Sequence, residues 1–294
     1  MSFFRKSVYN PTADPMDTRI GEVILQQGEA DVVFLGFPFD MASSTRPGSR
    51  FGPSRIRQNL YSLPYQGGLR LTDLGDVDVV NGDPEKSWKN CTGGVSVALE
   101  TGKRVCVIGG DSTTSYCAFR ALRRKAEGGL FYLLLDAHPD VRAEYKGLTS
   151  GRVVRWIAEQ DQDAKLAVAG IRKFSNSPYL FREARKLGLE LSPIEELEGK
   201  GKTELIERWS QLAKGRQTHL SVNIDVFDPS CAPGTNSPSP GGLYPREGLE
   251  LVETLCKRLK PTIFDVVEVS PLYDHADISC QLASSLIARY VWST

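Results

Sequence analysis

The chain has 294 residues, and Lys plus Arg balance Asp plus Glu at 36 each with no long basic or acidic block, so neither nucleic acid nor an anionic membrane surface is an expected partner. Six cysteines (91, 106, 117, 231, 256 and 280) form no C-x-x-C pair, a pattern of reduced thiols in a cytoplasmic protein rather than of a disulfide framework or zinc cage. The opening "MSFFRKSVYNPTADPMD" lacks the apolar stretch of a signal peptide, and no later run approaches a membrane span, which fits the same cytoplasmic setting.

Along the chain, short apolar runs rich in β-branched residues alternate with segments of helical period. The runs cover 31–37, 104–110, 130–137, 165–171, 220–225 and 262–269. Helices are expected near 53–60, 87–101, 113–125, 152–160, 178–187, 203–213, 245–258 and 279–290. Strands that are apolar on both faces and separated by helices argue for a parallel sheet covered on both sides. The expected fold is therefore α/β, a three-layer α/β/α arrangement around a central, mostly parallel sheet. No internal repeat or Pro/Gly linker divides the chain, so one domain over residues 1–294 is expected.

Ligands in such sheets bind beyond the carboxyl ends of the strands, which singles out the polar residues that follow each run. After "VCVIGG" comes Asp111-Ser112-Thr113-Thr114-Ser115; without a phosphate-loop pattern this reads as a helix cap. After "LFYLLL" comes Asp136-Ala137-His138-Pro139-Asp140. Two carboxylates and an imidazole leaving a buried strand can converge on one divalent cation; a capping Asp beside a hydrogen-bonded His is the alternative. The stretch "HLSVNIDVFDPSCAPG" alternates with period two, aiming Ser221, Asn223 and Asp225 to one face if the strand is regular. "VVEVSP" places Glu268 at the mouth of a last strand. Buried carboxylates in these positions are expensive unless paired, hydrogen-bonded or bound to metal.

Taken together, "GFPFD…RPGSRFGPSRIRQNL", "GGDSTTSY", "LDAHPDVR", "SVNIDVFDPSCAPGTNSPSPGGL" and "VEVSP" resemble the ureohydrolase superfamily of arginases, agmatinases and formimidoylglutamases, in that family's order and spacing. The resemblance implies an arginase-like fold, a homo-oligomer, and a two-ion centre, usually Mn²⁺, that activates water for attack on a guanidinium or formimino carbon. On matching positions it makes Asp136, His138, Asp140 and Asp225 metal ligands, lets Asp140 move protons and sets Glu268 against the cationic amidine. Ser112 stands where the family usually has His, and Asn223 where it usually has a bridging Asp. These two changes remove an imidazole and a negative charge, so one metal position is expected to be badly weakened and the Mn²⁺ site, for which other divalent metals are also open, to be single-metal or metal-poor rather than fully two-ion. Where arginases and agmatinases commonly carry a proton-transferring His after the T-S-G segment, this chain has Val154.

"IRKFSNSPY" and "SPGGLY" look most like formimidoylglutamases of bacterial histidine degradation. The implied substrate, N-formimidoyl-L-glutamate, carries two carboxylates for which Arg142, Arg172 or Arg152 could be donors. Two alternatives remain open from sequence: a hydrolase of agmatine, arginine or another guanidino compound, and a catalytically retired homologue with a binding or structural role. His219 lies about 20 Å along the strand from Asp225 and reads as structural; His275 reads as a loop residue.

Overall fold

The computed structural model describes residues 16–143, 147–197 and 199–293; the N-terminal stretch read above for a signal peptide lies, up to residue 15, outside them. Among the described residues eight strands form one sheet: β1 (Ala30–Phe37), β2 (Leu71–Asp76), β3 (Gly102–Gly109), β4 (Leu130–Leu135), β5 (Lys165–Ile171), β6 (Glu190–Pro193), β7 (Gln217–Asn223) and β8 (Ile263–Val267). Their order is β2-β1-β3-β8-β7-β4-β5-β6 and every pairing is parallel. Helices α1 (Ile20–Val23), α2 (Gly52–Tyr61), α3 (Pro84–Thr101), α4 (Thr113–Lys125), α5 (Val153–Gln160), α6 (Pro178–Lys186), α7 (Gly199–Ala213), α8 (Pro245–Leu259) and α9 (Ile278–Val291) connect them.

Strand parity sorts the core into two layers. Val32 and Phe34 of β1, Leu133 of β4 and Leu220 and Val222 of β7 pack with α1, α2, α7, α8 and α9. Val33 and Leu35 of β1 and Tyr132 and Leu134 of β4 pack with α3, α4, α5 and α6 on the opposite face. This is the expected three-layer α/β/α fold. Local sequence starts the helices: Pro84 opens α3 directly after Asp83, whose side chain accepts from the Lys86 N–H, and Pro245 opens α8.

Two strands escape the sequence reading, and both are edges. β2 reads "LTDLGD" and is exposed or half-exposed over its last three residues; β6 is four residues long. With a strand neighbour on one side only, β2 meeting just the Leu25 bridge on its outer side, neither needs the long apolar run that marks a central strand. β7 also differs from expectation. It begins at Gln217 and stops at Asn223, and residues Ile224–Val226 turn into a 3₁₀ segment. Among the described residues no helix is long and apolar enough to cross a membrane.

Candidate active site

The strand order reverses direction around β3, β8, β7 and β4, four adjacent central strands whose carboxyl ends share one crevice. Each contributes polar residues there. The resulting cavity of about 430 Å³ is lined by Ser112 after β3, His138 and Asp140 after β4, Asn223 and Asp225 from β7 and its turn, and Glu268 after β8. Asp136 lies beneath it, fully buried.

His138 is the hinge of the group. Its Nδ1 stands 3.0 Å from Asp225 Oδ2 and 3.3 Å from Asp136 Oδ1, and one ligand atom from each of the three residues lies within 4.8 Å of the others. Burial works against a charged imidazole here, but the Asp225 and Asp136 carboxylates outweigh it and raise His138 to about 11. Burial, with the Asp225 charge second, pushes Asp136 up to about 7; burial and Asp136 likewise raise Asp140. A set of carboxylates whose ionisation is this costly, gathered on one imidazole, has the charge and the hard O/N donors of a divalent-cation site.

Around that triad the backbone is unusual. Asp140 (φ 48°) and Glu268 (φ 64°) both hold left-handed backbone without being glycine, a strain that surroundings must enforce and that clusters at functional sites. Glu268 is fixed by three donors. Ser112 gives its N–H and Oγ to Oε1 at 2.9 and 3.0 Å, and the Asn236 amide donates to Oε2. Burial, then the nearby Asp111 charge, lifts Glu268 to about 8 despite these bonds.

Ser112 and Asn223, the two positions that depart from the family pattern, are both turned towards carboxylates. The Asn223 Oδ1 accepts the Asp225 N–H at 3.0 Å, and its Nδ2 donates to Asp136 Oδ2 at 2.8 Å. A backbone N–H can only donate, so the amide oxygen must face it and the NH₂ must face Asp136. Capping at α4 belongs to Asp111, which accepts the Thr113 N–H at 3.0 Å, and not to the hydroxyls that follow. Ser221, set on one face with Asp225 by the period-two reading, instead donates to Asp265 Oδ1 at 2.6 Å, because the turn after Asn223 carries Asp225 off the strand's parity. His219 is a buried structural residue bonded to Asp265, and His275 does not line the cavity.

The three arginines separate. Arg142 lines the cavity, and among the described residues no side-chain partner holds its guanidinium. Arg172 is buried and does not line it: its guanidinium donates to the carbonyls of Gly170, Asp225 and Val226 at 2.8, 2.9 and 2.5 Å. It clamps the turn that presents Asp225. Arg152 is half-buried away from the cavity wall, with a buried Nε that meets no hydrogen-bond partner among the described residues. Val154 is fully buried. Sequence reasoning did not single out Ser44, Thr45, Ser150, Asn176, Asn236 and Ser239, which complete the wall. Their signal was membership of the polar loops "MASSTRPG" (Ser44, Thr45), "LTSG" (Ser150), "KFSNSP" (Asn176) and "GTNSPSPGG" (Asn236, Ser239), whose side-chain direction a sequence does not reveal.

A family model described as the arginase family matches residues 30–292. The chain belongs to the arginase family. Agmatinase of Bacillus subtilis (strain 168) is 34% identical over 270 residues, covering 88% of this chain and 90% of that protein. Among solved structures, formimidoylglutamase from Bacillus subtilis subsp. subtilis str. 168 superposes with a TM-score of 0.90 at 27% identity, over 99% of this chain and 96% of that one. Proclavaminate amidino hydrolase from Streptomyces clavuligerus gives 0.84 at 30%, over 98% of each. Against the two-ion pattern implied for this arginase-family chain, the residues fit unequally. Asp136, His138 and Asp225 fit one cation. The other position is left with Asp136 and Asp140, since Ser112 and the Asn223 oxygen are engaged elsewhere.

Proposed function

We propose that this arginase-family chain hydrolyses the C–N bond of a linear amidine with one divalent cation, Mn²⁺ first, and that its substrate is N-formimidoyl-L-glutamate, cleaved to glutamate and formamide. The observation that carries this reading is the convergence of Asp136, His138 and Asp225 beside Glu268 in one cavity. A divalent cation held by those three supplies Lewis acidity, lowering the pKa of a water at neutral pH. The protein does the rest. Glu268 faces the amidinium; three of its roughly four lone-pair directions are occupied by Ser112 and Asn236, which leaves room for one substrate N–H on Oε2. Asp140, raised by burial, is placed to hold or pass a proton.

The acid end of the substrate is supported by charge. The floor of the cavity is carboxylate-rich, whereas the wall carries Arg142 and neutral hydroxyls. An amidine acid sets opposite charges against both ends; the ammonium of agmatine would lie near the like-charged Arg142 guanidinium. The similarity to a formimidoylglutamase structure supports the formimidoyl substrate, while the names agmatinase and proclavaminate amidino hydrolase support amidine hydrolysis without that substrate. A homo-oligomer accompanies it by family resemblance.

A second reading, a retired homologue that keeps the fold for binding, is favoured by the engagement of Ser112 and Asn223 with carboxylates. The purified chain is assayed with Mn²⁺, Fe²⁺ or Ni²⁺ on formimidoylglutamate, arginine, agmatine and guanidine. Turnover of the first, at least about tenfold above the others in kcat/KM, is expected. No turnover of any, with activity gained by Ser112→His/Asn223→Asp, would leave the retired reading in its place.

A further inference from the structure

β4 and β7 are neighbours, and Leu135 stands opposite Val222. Asp136 and Asn223 follow those two residues, so the register holds residue 223 beside the Asp136 carboxylate whatever its side chain. Asp136 is fully buried, and Asn223, on the cavity wall, is only 4% exposed. Two carboxylates so placed repel in a low dielectric unless a cation or a proton lies between them. The amide avoids this. Its Nδ2 reaches Asp136 Oδ2 at 2.8 Å while its Oδ1 is spent on the Asp225 N–H at 3.0 Å, so no lone pair is turned towards Asp136. One position away along the crevice, Ser112 does the same for Glu268 with two donors.

We propose that Asn223 is a built-in substitute for the second cation: its amide hydrogens hold Asp136 where a bridging carboxylate would need metal, so the crevice is assembled without that ion. The inference rests on the one-cation reading above and adds that residue 223 decides whether folding depends on metal. It makes Asn223 a positioning residue. A carboxylate at 223 turns a self-sufficient site into one that metal must complete, because binding to the native state alone shifts the folding equilibrium.

Three chains, stripped of metal with chelator and dialysed, are melted at pH 8 with and without Mn²⁺: wild type, Asn223→Asp, and Asp136→Asn/Asn223→Asp. Without metal, Asn223→Asp is expected to melt roughly 5–10 °C below wild type, a shift matching a like-charge pair and a lost hydrogen bond in a chain of this size. Mn²⁺ closes that gap for Asn223→Asp, and the double variant recovers at least half of the loss with no metal. Elemental analysis finds at most one Mn²⁺ per wild-type chain. If metal-free Asn223→Asp does not fold, its refolding on Mn²⁺ and the folding of the double variant without it support the proposal. A metal-free Asn223→Asp chain that melts with wild type, a double variant that recovers nothing, or two ions on the wild type overturns it. None of these readouts involves turnover, so an inactive wild-type chain defeats the proposed hydrolase and leaves this inference standing.

Discussion

Arg172 shows how a single side chain can serve the site without entering it. Among the described residues its guanidinium hydrogen-bonds only to backbone carbonyls, chiefly those of Gly170, Asp225 and Val226, with Phe227 and Ser239 at longer range. Burial lowers its pKa, and the Asp225 and Asp136 charges oppose that. A planar fork presents five donors from separated nitrogens to carbonyls on different segments at once; an ammonium offers three donors from a single point on a flexible stem. Arg172→Met is therefore expected to lower unfolding free energy by about 3 kcal/mol, since it strands buried acceptors. Arg172→Lys should recover less than half of that. Urea melts of the three chains check it, and a Lys variant as stable as wild type would show that charge rather than the fork is what the turn needs. Arg172 and Arg142 were equivalent candidates in the sequence, because both follow a strand end. Only the fold shows that one faces carbonyls and the other the cavity. Asp136, His138 and Asp225 were legible for the opposite reason: carboxylates and an imidazole at buried strand ends have few inexpensive alternatives.

Among the connecting elements, the loop from β7 to α8 depends on one carboxylate. Asp228 accepts the N–H groups of Ser230, Gly241 and Gly242 at 2.9, 2.7 and 3.2 Å, tying both ends of the segment that carries Asn236 and Ser239. Partial burial raises its pKa, but the Ser230 bonds and the glycine N–H groups outweigh it and hold the folded value at about 2, against 3.8 as the ordinary value. The unfolded chain thus takes up the proton first. The stabilisation is complete above about pH 5 and is lost as acid passes 3.8 and approaches 2. Asp228→Asn should melt lower than wild type at pH 7, and the difference between the two should shrink as pH falls from 5 to 2. A gap that stays constant over that range would mean that the charge of Asp228 contributes nothing. At this scale the central strands were legible and the edges were not. β3, β4, β5 and β8 are apolar through most of their length and β7 showed its period-two alternation, whereas β2 and β6 have neither a long apolar run nor that alternation and carry polar residues such as Asp73 and Glu190. The end of β7 was also out of reach of a period-two argument, since the 3₁₀ turn at Ile224–Val226 is set by the Arg172 clamp and the Asn223 cap.

For the molecule as a whole, the site and the most protected part of the fold coincide. The proposed ligands leave β4 and β7, and Glu268 leaves β8, strands with a partner on each side and helices on both faces, while β2 and β6 close the sheet with one partner each. Amides of the central strands should exchange with solvent only through global unfolding, and those of the edges through smaller openings that leave the site intact. A cation bound at Asp136, His138 and Asp225 stabilises only states in which β4 and β7 remain assembled. At 100 times its dissociation constant such an ion adds about 2.7 kcal/mol, which is roughly a hundredfold slowing of any exchange that requires the site to come apart. Saturating Mn²⁺ should therefore slow exchange in β4, β7 and β8 by about that factor and leave β2 and β6 almost unchanged. Equal slowing across all eight strands would place the edges in the same cooperative unit as the centre. Slowing confined to β2 and β6 would put the ion somewhere other than this crevice.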